Sequence, residues 1–416
     1  MSRRRALLVV MHLFTVVMLG GTLPTPIYPF YAAQLGLTAT GITVVFAAYA
    51  VGTMAALLLL GGASDALGRR RVLLAGVAVA AASSVVFLLA DSVPLLLAGR
   101  ALSGLSVGVV TGAATAYLSE LADDPRQAVT LATVANMGGL GLGALLAGVL
   151  AQHVAHPTTL PYLVHLALLV PALLVARAPE TAGHPRGERG PVVQVQRLAL
   201  PDGAGSAFAA AAAAAFAAFA LFGLFTALTS TFLSQGLHDT SHQSVGALVA
   251  VLFGAGVLGQ LARPRLGLRR SLVTGLVALP VGVGLLVASL AATSLPLYGL
   301  AALVGGAGVG LAFSASLALV AEVSPAGRRA QVTSALFLVA YAGISVPVVA
   351  AGVLVTQAGL LVAAQVLAGL VTVLAIAAVA FDTAHRRGLR RLELAERARE
   401  ATQADARAAF DALTHS

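Results

Sequence analysis

The chain has 416 residues, of which 59% are hydrophobic and only 10% charged, with a formal net charge of +9. A soluble globular domain is roughly 45–50% apolar and about 25% charged, so this composition, with a mean hydropathy of +0.94, excludes a soluble fold and indicates a membrane protein. The chain has neither Cys nor Trp, which excludes disulfides, thiolate catalysis and Cys-ligated metal and leaves the tyrosines for any interfacial aromatic belt.

A hydrocarbon core of about 30 Å takes about 20 apolar residues per helical span. On that ruler the first six spans are expected at about 7–32, 42–62, 72–91, 94–118, 128–152 and 160–178. The last six are expected at about 207–233, 243–262, 271–292, 296–320, 330–356 and 358–382. The basic start and apolar run of the first span imitate a secretion signal. No small-residue cleavage site follows, so an uncleaved helix is expected. This span ends in Pro24, Pro26 and Pro29, and interrupted helix is tolerated in a membrane where backbone faces protein or water. Thr25, Tyr28 and Tyr31 are therefore candidates for substrate contact.

All 25 basic residues are Arg. With the N-terminus inside, Arg3 to Arg5, Arg69 to Arg71, Arg126, Arg177, Arg186, Arg189 and Arg197 fall in cytoplasmic segments. Arg263, Arg265, Arg269, Arg270, Arg328, Arg329 and the arginines from Arg386 to Arg407 follow the same pattern. The outer loops hold none, and apart from Arg177 at the very end of the sixth span only Arg100 lies within a span. The positive-inside rule then places both termini in the cytoplasm of a multi-pass cell-membrane protein. Arginines spread in this way do not form a nucleic-acid patch.

Between the second and third spans, Gly61, Asp65, Gly68, Arg69 and Arg70 fit the pattern G-x-x-x-D-x-x-G-R-R, with Ala66 where a further basic residue is usual. At these residues the chain resembles the major facilitator superfamily of transporters, whose loop between helices two and three carries this signature. The resemblance extends to about residue 382. It implies an all-α membrane protein with twelve transmembrane helices in two pseudo-symmetric six-helix halves, the MFS fold, and a transport site between the halves. It also implies a cytoplasmic latch: Asp65 facing a helix end across the half–half interface, Arg69 paired with Glu120 near Arg126, and Glu322 with Arg328 as second-half counterparts.

Within the fourth span, Arg100 and Gly104 resemble the superfamily's R-x-x-x-G motif, associated with proton transfer in antiporters. A charge inside a span faces a cavity or a partner; the bland alternative is that Arg100 snorkels to the headgroups. Gly104, Gly108 and Gly112 at four-residue spacing offer one close-packing face. The fifth span, from Gly139 through Gly143 to Gly148, resembles an antiporter motif but has Ala144 in place of Pro and Ala147 in place of Gly. Asn136, His165, Thr226, Gln260 and Tyr341 are further polar residues within spans, and His12 and His165 are the intramembrane imidazoles. No Asp or Glu falls in the middle of a span.

The halves repeat. Gly310, Glu322 and Arg328 each lie 202 residues after Gly108, Glu120 and Arg126 (310−108, 322−120, 328−126). The second copy of the loop, from Gly259 to Arg270, has Arg263 near the expected aspartate position. Residues 1–178 are expected as one half, 179–206 as a Pro- and Gly-rich cytoplasmic linker, 207–382 as the other half and 383–416 as a charged cytoplasmic tail. The reading is a non-enzymatic, cofactor-free, metal-free, monomeric secondary transporter. It is expected to export a small amphipathic or neutral compound in exchange for protons by rocker-switch alternating access. A facilitator or proton symporter for a sugar or metabolite remains open, and behind it a lipid flippase or membrane enzyme.

Overall fold

The computed structural model describes residues 1–181, 193, 196, 198–201, 203–325 and 327–414. Most of the expected linker, with Arg186, Arg189 and Arg197, lies outside the described residues. Among those described, 12 helices are long and apolar enough to cross a membrane. They are α1 (Arg3–Leu35), α2 (Ala39–Leu60), α3 (Arg69–Leu88), α4 (Val93–Leu121), α5 (Pro125–His153) and α6 (Leu160–Arg177) in the first half. The second half holds α7 (Gly205–Gly236), α8 (His242–Leu266), α9 (Leu268–Ala291), α10 (Leu295–Val323), α11 (Arg329–Ala358) and α12 (Leu360–Thr414).

Each expected span is present. A backbone in lipid must satisfy its own polar groups, which helix does, and some helices, such as α5 and α10, continue through their polar ends beyond the expected bounds. At 1.5 Å per residue α12 is about 80 Å long, far more than a core of about 30 Å requires. Segment 383–416, expected as a separate tail, is thus continuous with the last span as far as Thr414.

Burial separates inner from outer helices. The most apolar windows of α1, α7 and α10 are 61%, 72% and 67% buried, against 33% for α6 and 28% for α12, so the first group lines the middle of the bundle and the second faces lipid. Two helices carry a wide π-turn: α5 at Val134–Gly138 and α7 at Phe232–Gly236. α1 breaks at a 3-10 turn, Thr25–Ile27, after Pro24.

The repeat is built into the packing. A Cβ on Gly104 of α4 would stand 1.9 Å from the Tyr49 carbonyl oxygen of α2, and one on Gly306 of α10 would stand 2.2 Å from the Leu252 carbonyl oxygen of α8. Backbone meets backbone at equivalent places in the two halves, which small residues alone permit. Gly108 and Gly310 repeat the contact one turn on. Gly112 does not extend it: it is exposed, with nothing within 4 Å of an added Cβ. The halves meet along α2 with α11 and α5 with α8.

Candidate functional site

Between the halves lies a cavity of about 600 Å³, within the usual range for a small-molecule site. The second half supplies an aromatic wall of Phe219, Phe222, Phe253, Phe313, Phe337 and Tyr341. These rings hold one another: Phe219 lies 4.9 Å from Phe313 and 5.5 Å from Tyr341, and Phe222 lies 4.8 Å from Phe253. The first half supplies Phe46, Tyr49, Thr22, Thr111, Thr115, Thr133 and Asn136. One wall is therefore aromatic, and the other mixes threonine hydroxyls and the Asn136 amide with apolar side chains such as Met137 and Leu140.

Several of these hydroxyls are committed to their own helices, as in Thr111 to the Val107 carbonyl (2.7 Å) and Thr226 to the Phe222 carbonyl (2.7 Å). Asn136, set in the π-turn of α5 and lining the cavity, makes no side-chain hydrogen bond among the described residues. Gln260 donates to the Met137 sulfur at 3.0 Å and accepts from Thr133 at 3.4 Å. Among the described residues, no carboxylate lines the cavity and Arg263 is its one charged group.

The cavity opens at one end. It runs from Phe46, Tyr49 and Ile344 in mid-bundle to Val129 and Pro264, both exposed, at the end where the arginine-rich loops lie. At the arginine-poor end the halves are tied together. Thr40 donates to the Gly352 carbonyl (3.2 Å) and meets the Thr356 hydroxyl (3.1 Å). Ser230 donates to the Thr25 carbonyl (3.0 Å), His242 Nδ1 meets the Pro26 carbonyl (3.0 Å), and His153 meets Gln243 (2.8 Å). The proline-broken end of α1 thus belongs to the seal. Thr25, Tyr28 and Tyr31 are each 1% exposed and do not reach the cavity, contrary to the expectation of substrate contact. The Tyr31 hydroxyl instead donates to Tyr162 at 3.3 Å.

Arg100 is 0% exposed, which rules out snorkelling. Its Nη1 donates to the Gly21 carbonyl at 2.8 Å, and its guanidinium carbon lies 4.8 Å from the centroid of Tyr49 and 5.4 Å from that of Phe46. Those two rings form part of the cavity lining, so Arg100 stands behind the wall rather than in it. A buried charge without a counter-ion is costly; a carbonyl and two ring faces offset part of that cost. Nε and Nη2 of Arg100 make no hydrogen bond of good geometry, and the Tyr28 hydroxyl lies beside the guanidinium. Gly104, the other half of this motif, packs α4 on α2 and lines nothing.

His165 is likewise outside the cavity, meeting Ser84 at 2.7 Å and the Val16 carbonyl at 3.0 Å. His12 meets the Leu168 carbonyl at 3.1 Å. Of the coupling and cavity candidates, Asn136 and Tyr341 line the cavity.

At the arginine-rich end, Gly61 caps α2, a short helix covers Ala63–Leu67, and Gly68 (φ +96°) turns the chain into α3. Arg69 fills this corner. Its guanidinium contacts Asp65 at 2.7 Å, Glu120 at 2.8 Å and the Ser64 hydroxyl at 2.6 Å. Glu120 also accepts from Thr181. The Glu180 carboxylate accepts the backbone N–H groups of Arg69 (2.8 Å) and Arg70 (3.2 Å), the place where a helix N-terminus favours negative charge. Arg70 also donates to the Ala178 carbonyl at 3.1 Å. The first residues of the linker are thus clamped to the loop.

The Arg69–Glu120 pair is present, and one expected contact differs. Asp65 meets Arg69 of its own half rather than a helix end of the other. Glu120 is paired with Arg69, while Arg126 is exposed and its backbone N–H bonds Asp124. Glu322 is exposed beside the start of α11, where Arg328 is the N-cap. Sequence reasoning missed Glu180 and the cavity position of Arg263. Only the latter left a signal: it follows Gln260 by three residues, one turn along the same helix face.

Comparison with known proteins agrees with this architecture. Over 103 residues the chain is 37% identical to the multidrug resistance protein MdtL of Escherichia coli, a match covering 25% of this chain and 26% of that protein. The chain therefore matches about a quarter of the length of that relative. The bacterial homologue of the human lysosomal transporter Spinster, inward-facing and unoccupied, superposes with a TM-score of 0.70 at 16% identity, over 93% of this chain and 98% of its own. The nucleoside transporter NupG superposes with a TM-score of 0.72 at 17% identity, over 90% and 99%. Likeness at these identities speaks for the fold. Residues 10–346 match the profile of the Major Facilitator Superfamily, and the chain belongs to that superfamily of membrane transporters.

Proposed function

We propose that this transporter exports a small amphipathic or neutral compound in exchange for protons, by rocker-switch alternating access, from a cytoplasmic membrane with both termini in the cytoplasm. The observation that carries this reading is the one-sided cavity. It is aromatic on one wall, free of carboxylates among the described residues, open at the arginine-rich end and tied shut at the other. Arginine-rich loops belong to the cytoplasmic side, so the open end is the one from which an exporter loads. The partial likeness to a multidrug resistance protein supports the direction.

In this reading the Asp65–Arg69–Glu120 cluster is the latch that engages the second half when the arginine-rich end closes, with Glu322 and Arg328 flanking it from the other side. Arg100, behind Tyr49, ties occupancy of the cavity to the seal made by α1. A facilitator or symporter for a sugar or metabolite is the second reading, favoured by Ala144 at the proline position of the antiporter motif.

Energised inside-out vesicles with a pH-sensitive dye test the first reading. A panel of drugs, sugars and amino acids is added to wild type, Asp65→Asn and Arg100→Ala. A compound that collapses the gradient with wild type alone supports proton-coupled export. Labelled solute crossing without proton movement overturns it in favour of a facilitator.

A further inference from the structure

Arg263 was expected in a loop, as part of a degenerate copy of the Asp65 motif. The structure places it within α8, one turn beyond Gln260, with its side chain in the cavity lining. Its Nε is shut off from solvent without a hydrogen-bond partner, and among the described residues its guanidinium has no ion pair. Its neighbours Arg265, Arg269 and Arg270 are exposed. A last-turn arginine serves the helix dipole and membrane topology equally well from water. Those functions account for the exposed arginines and leave the buried, unpaired Nε of Arg263 unexplained. Burying a donor without an acceptor is costly, more so for a charged group.

The groups beside Arg263 are also under-used. The Gln260 amide donates to a thioether, a weak acceptor. Thr133 bonds Gln260 at the long distance of 3.4 Å, and Asn136 projects its amide from the π-turn with no partner among the described residues. These donors face one part of the cavity across α5 and α8. The aromatic wall begins deeper: Phe253 precedes Arg263 by ten residues on the same helix, about 15 Å of rise.

We propose that the cavity selects amphipathic aromatic monoanions, with a carboxylate or similar acid held by Arg263 and the amides of Gln260 and Asn136, and a body about two rings long against Phe222, Phe313 and their neighbours. This rests on the reading of the cavity as the transport site. It narrows the substrate class: the single guanidinium matches one negative charge, and a cation would meet Arg263 with no carboxylate among the described lining residues to offset the repulsion.

The test is binding by purified protein in nanodiscs, followed by thermal stabilisation, of three probes of one shape: 4-biphenylcarboxylate, 4-biphenylcarboxamide and 4-biphenylmethylammonium. A charge-assisted hydrogen bond is worth enough for the carboxylate to bind about tenfold more tightly than the amide. Arg263→Gln should reduce that ratio to about one, and Arg263→Lys should retain a preference for the anion. Phe313→Ala should weaken carboxylate and amide alike. Equal binding of all three probes, preference for the cation, no binding of any, or an anion preference that survives Arg263→Gln overturns the proposal. Transport is scored separately in proteoliposomes. Anion-selective binding without transport leaves the inference standing and removes the export reading; transport of neutral or cationic compounds alone does the reverse.

Discussion

The Arg100 guanidinium carbon stands 4.8 Å from the centroid of Tyr49, a ring that forms part of the lining of the cavity between the halves. A fully buried charge is thus separated from the cavity by one aromatic side chain. Replacing a buried charge by an apolar residue of similar size is often neutral or stabilising. Arg100→Met is therefore expected to keep or raise the melting temperature while abolishing gradient-coupled transport. Arg100→Lys, a compact point charge that does not stack on rings as a planar guanidinium does, should lower both. Thermal unfolding and vesicle transport on the same preparations separate the two effects.

Arg69 joins Asp65 and Glu120, and its side chain is only 10% exposed. Partners that share one guanidinium couple. A double-mutant cycle with Asp65→Asn and Glu120→Gln should give a non-additive term of about 0.5–3 kcal/mol in stability. Additivity within about 0.3 kcal/mol would show that the two carboxylates act independently.

Gly68 adopts φ +96° and ψ 150°, and a Cβ there would come within 2.8 Å of the Glu180 carboxylate. Gly68→Ala should cost about 1–3 kcal/mol from backbone strain, with further loss where the carboxylate is displaced. Gly62→Ala is the control. Gly62 has φ −94° and nothing within 4 Å of an added Cβ, and its substitution should stay within about 0.5 kcal/mol. Thermal unfolding of the two variants beside wild type reads the contrast.

Gly104 and Gly112 lie on one helix at multiples of the same spacing and predict opposite outcomes. Gly104→Ala drives a methyl towards the Tyr49 carbonyl, where the gap is 1.9 Å. It must separate α4 from α2, at a cost of about 1–3 kcal/mol or more. Gly112→Ala meets nothing and should gain up to about 1 kcal/mol of helix propensity. Size-exclusion profile and melting temperature distinguish them.

The absence of Cys from the chain makes cross-linking direct. The Thr40 and Thr356 hydroxyls meet at 3.1 Å across the sealed end, so Thr40→Cys with Thr356→Cys places two thiols within disulfide range. Oxidation should stop transport and reductant should restore it. The cross-linked protein should still bind ligand from the arginine-rich side in the nanodisc assay.

The spans were legible because a hydrocarbon core demands about 20 apolar residues each time, and the arginines between spans punctuate them. Gly104 and Gly108 were legible from their four-residue spacing and Gly310 from the repeat offset, whereas Gly112, read onto the same face, is exposed, and Gly306 emerges only from the packing. The cavity was not. Pro24, Pro26 and Pro29 suggested an opening at Thr25 and Tyr28, yet a broken helix is equally suited to wrapping a seal, and that choice depends on Ser230 and His242 from the distant half. The aromatic wall has no local signature, since its rings come from four helices and resemble ordinary lipid-facing phenylalanines in one dimension. Arg263 was hidden by its company. Beside three exposed arginines it read as topology, and only the third dimension turns it inward.

The two ends of the molecule are held by different chemistry. Hydroxyls, amides, imidazoles and backbone carbonyls close the arginine-poor end, with neither carboxylate nor guanidinium among the side chains named in its ties. The opposite end is organised by Asp65, Arg69, Glu120 and Glu180. Mobile ions screen exposed charges and leave neutral hydrogen bonds nearly untouched. Under the proposed latch, ionic strength at the arginine-rich end acts on the switching equilibrium through the exposed carboxylate of Asp65 and the part-exposed one of Glu120, less so at the largely buried Arg69, and ionic strength at the other end acts on it least.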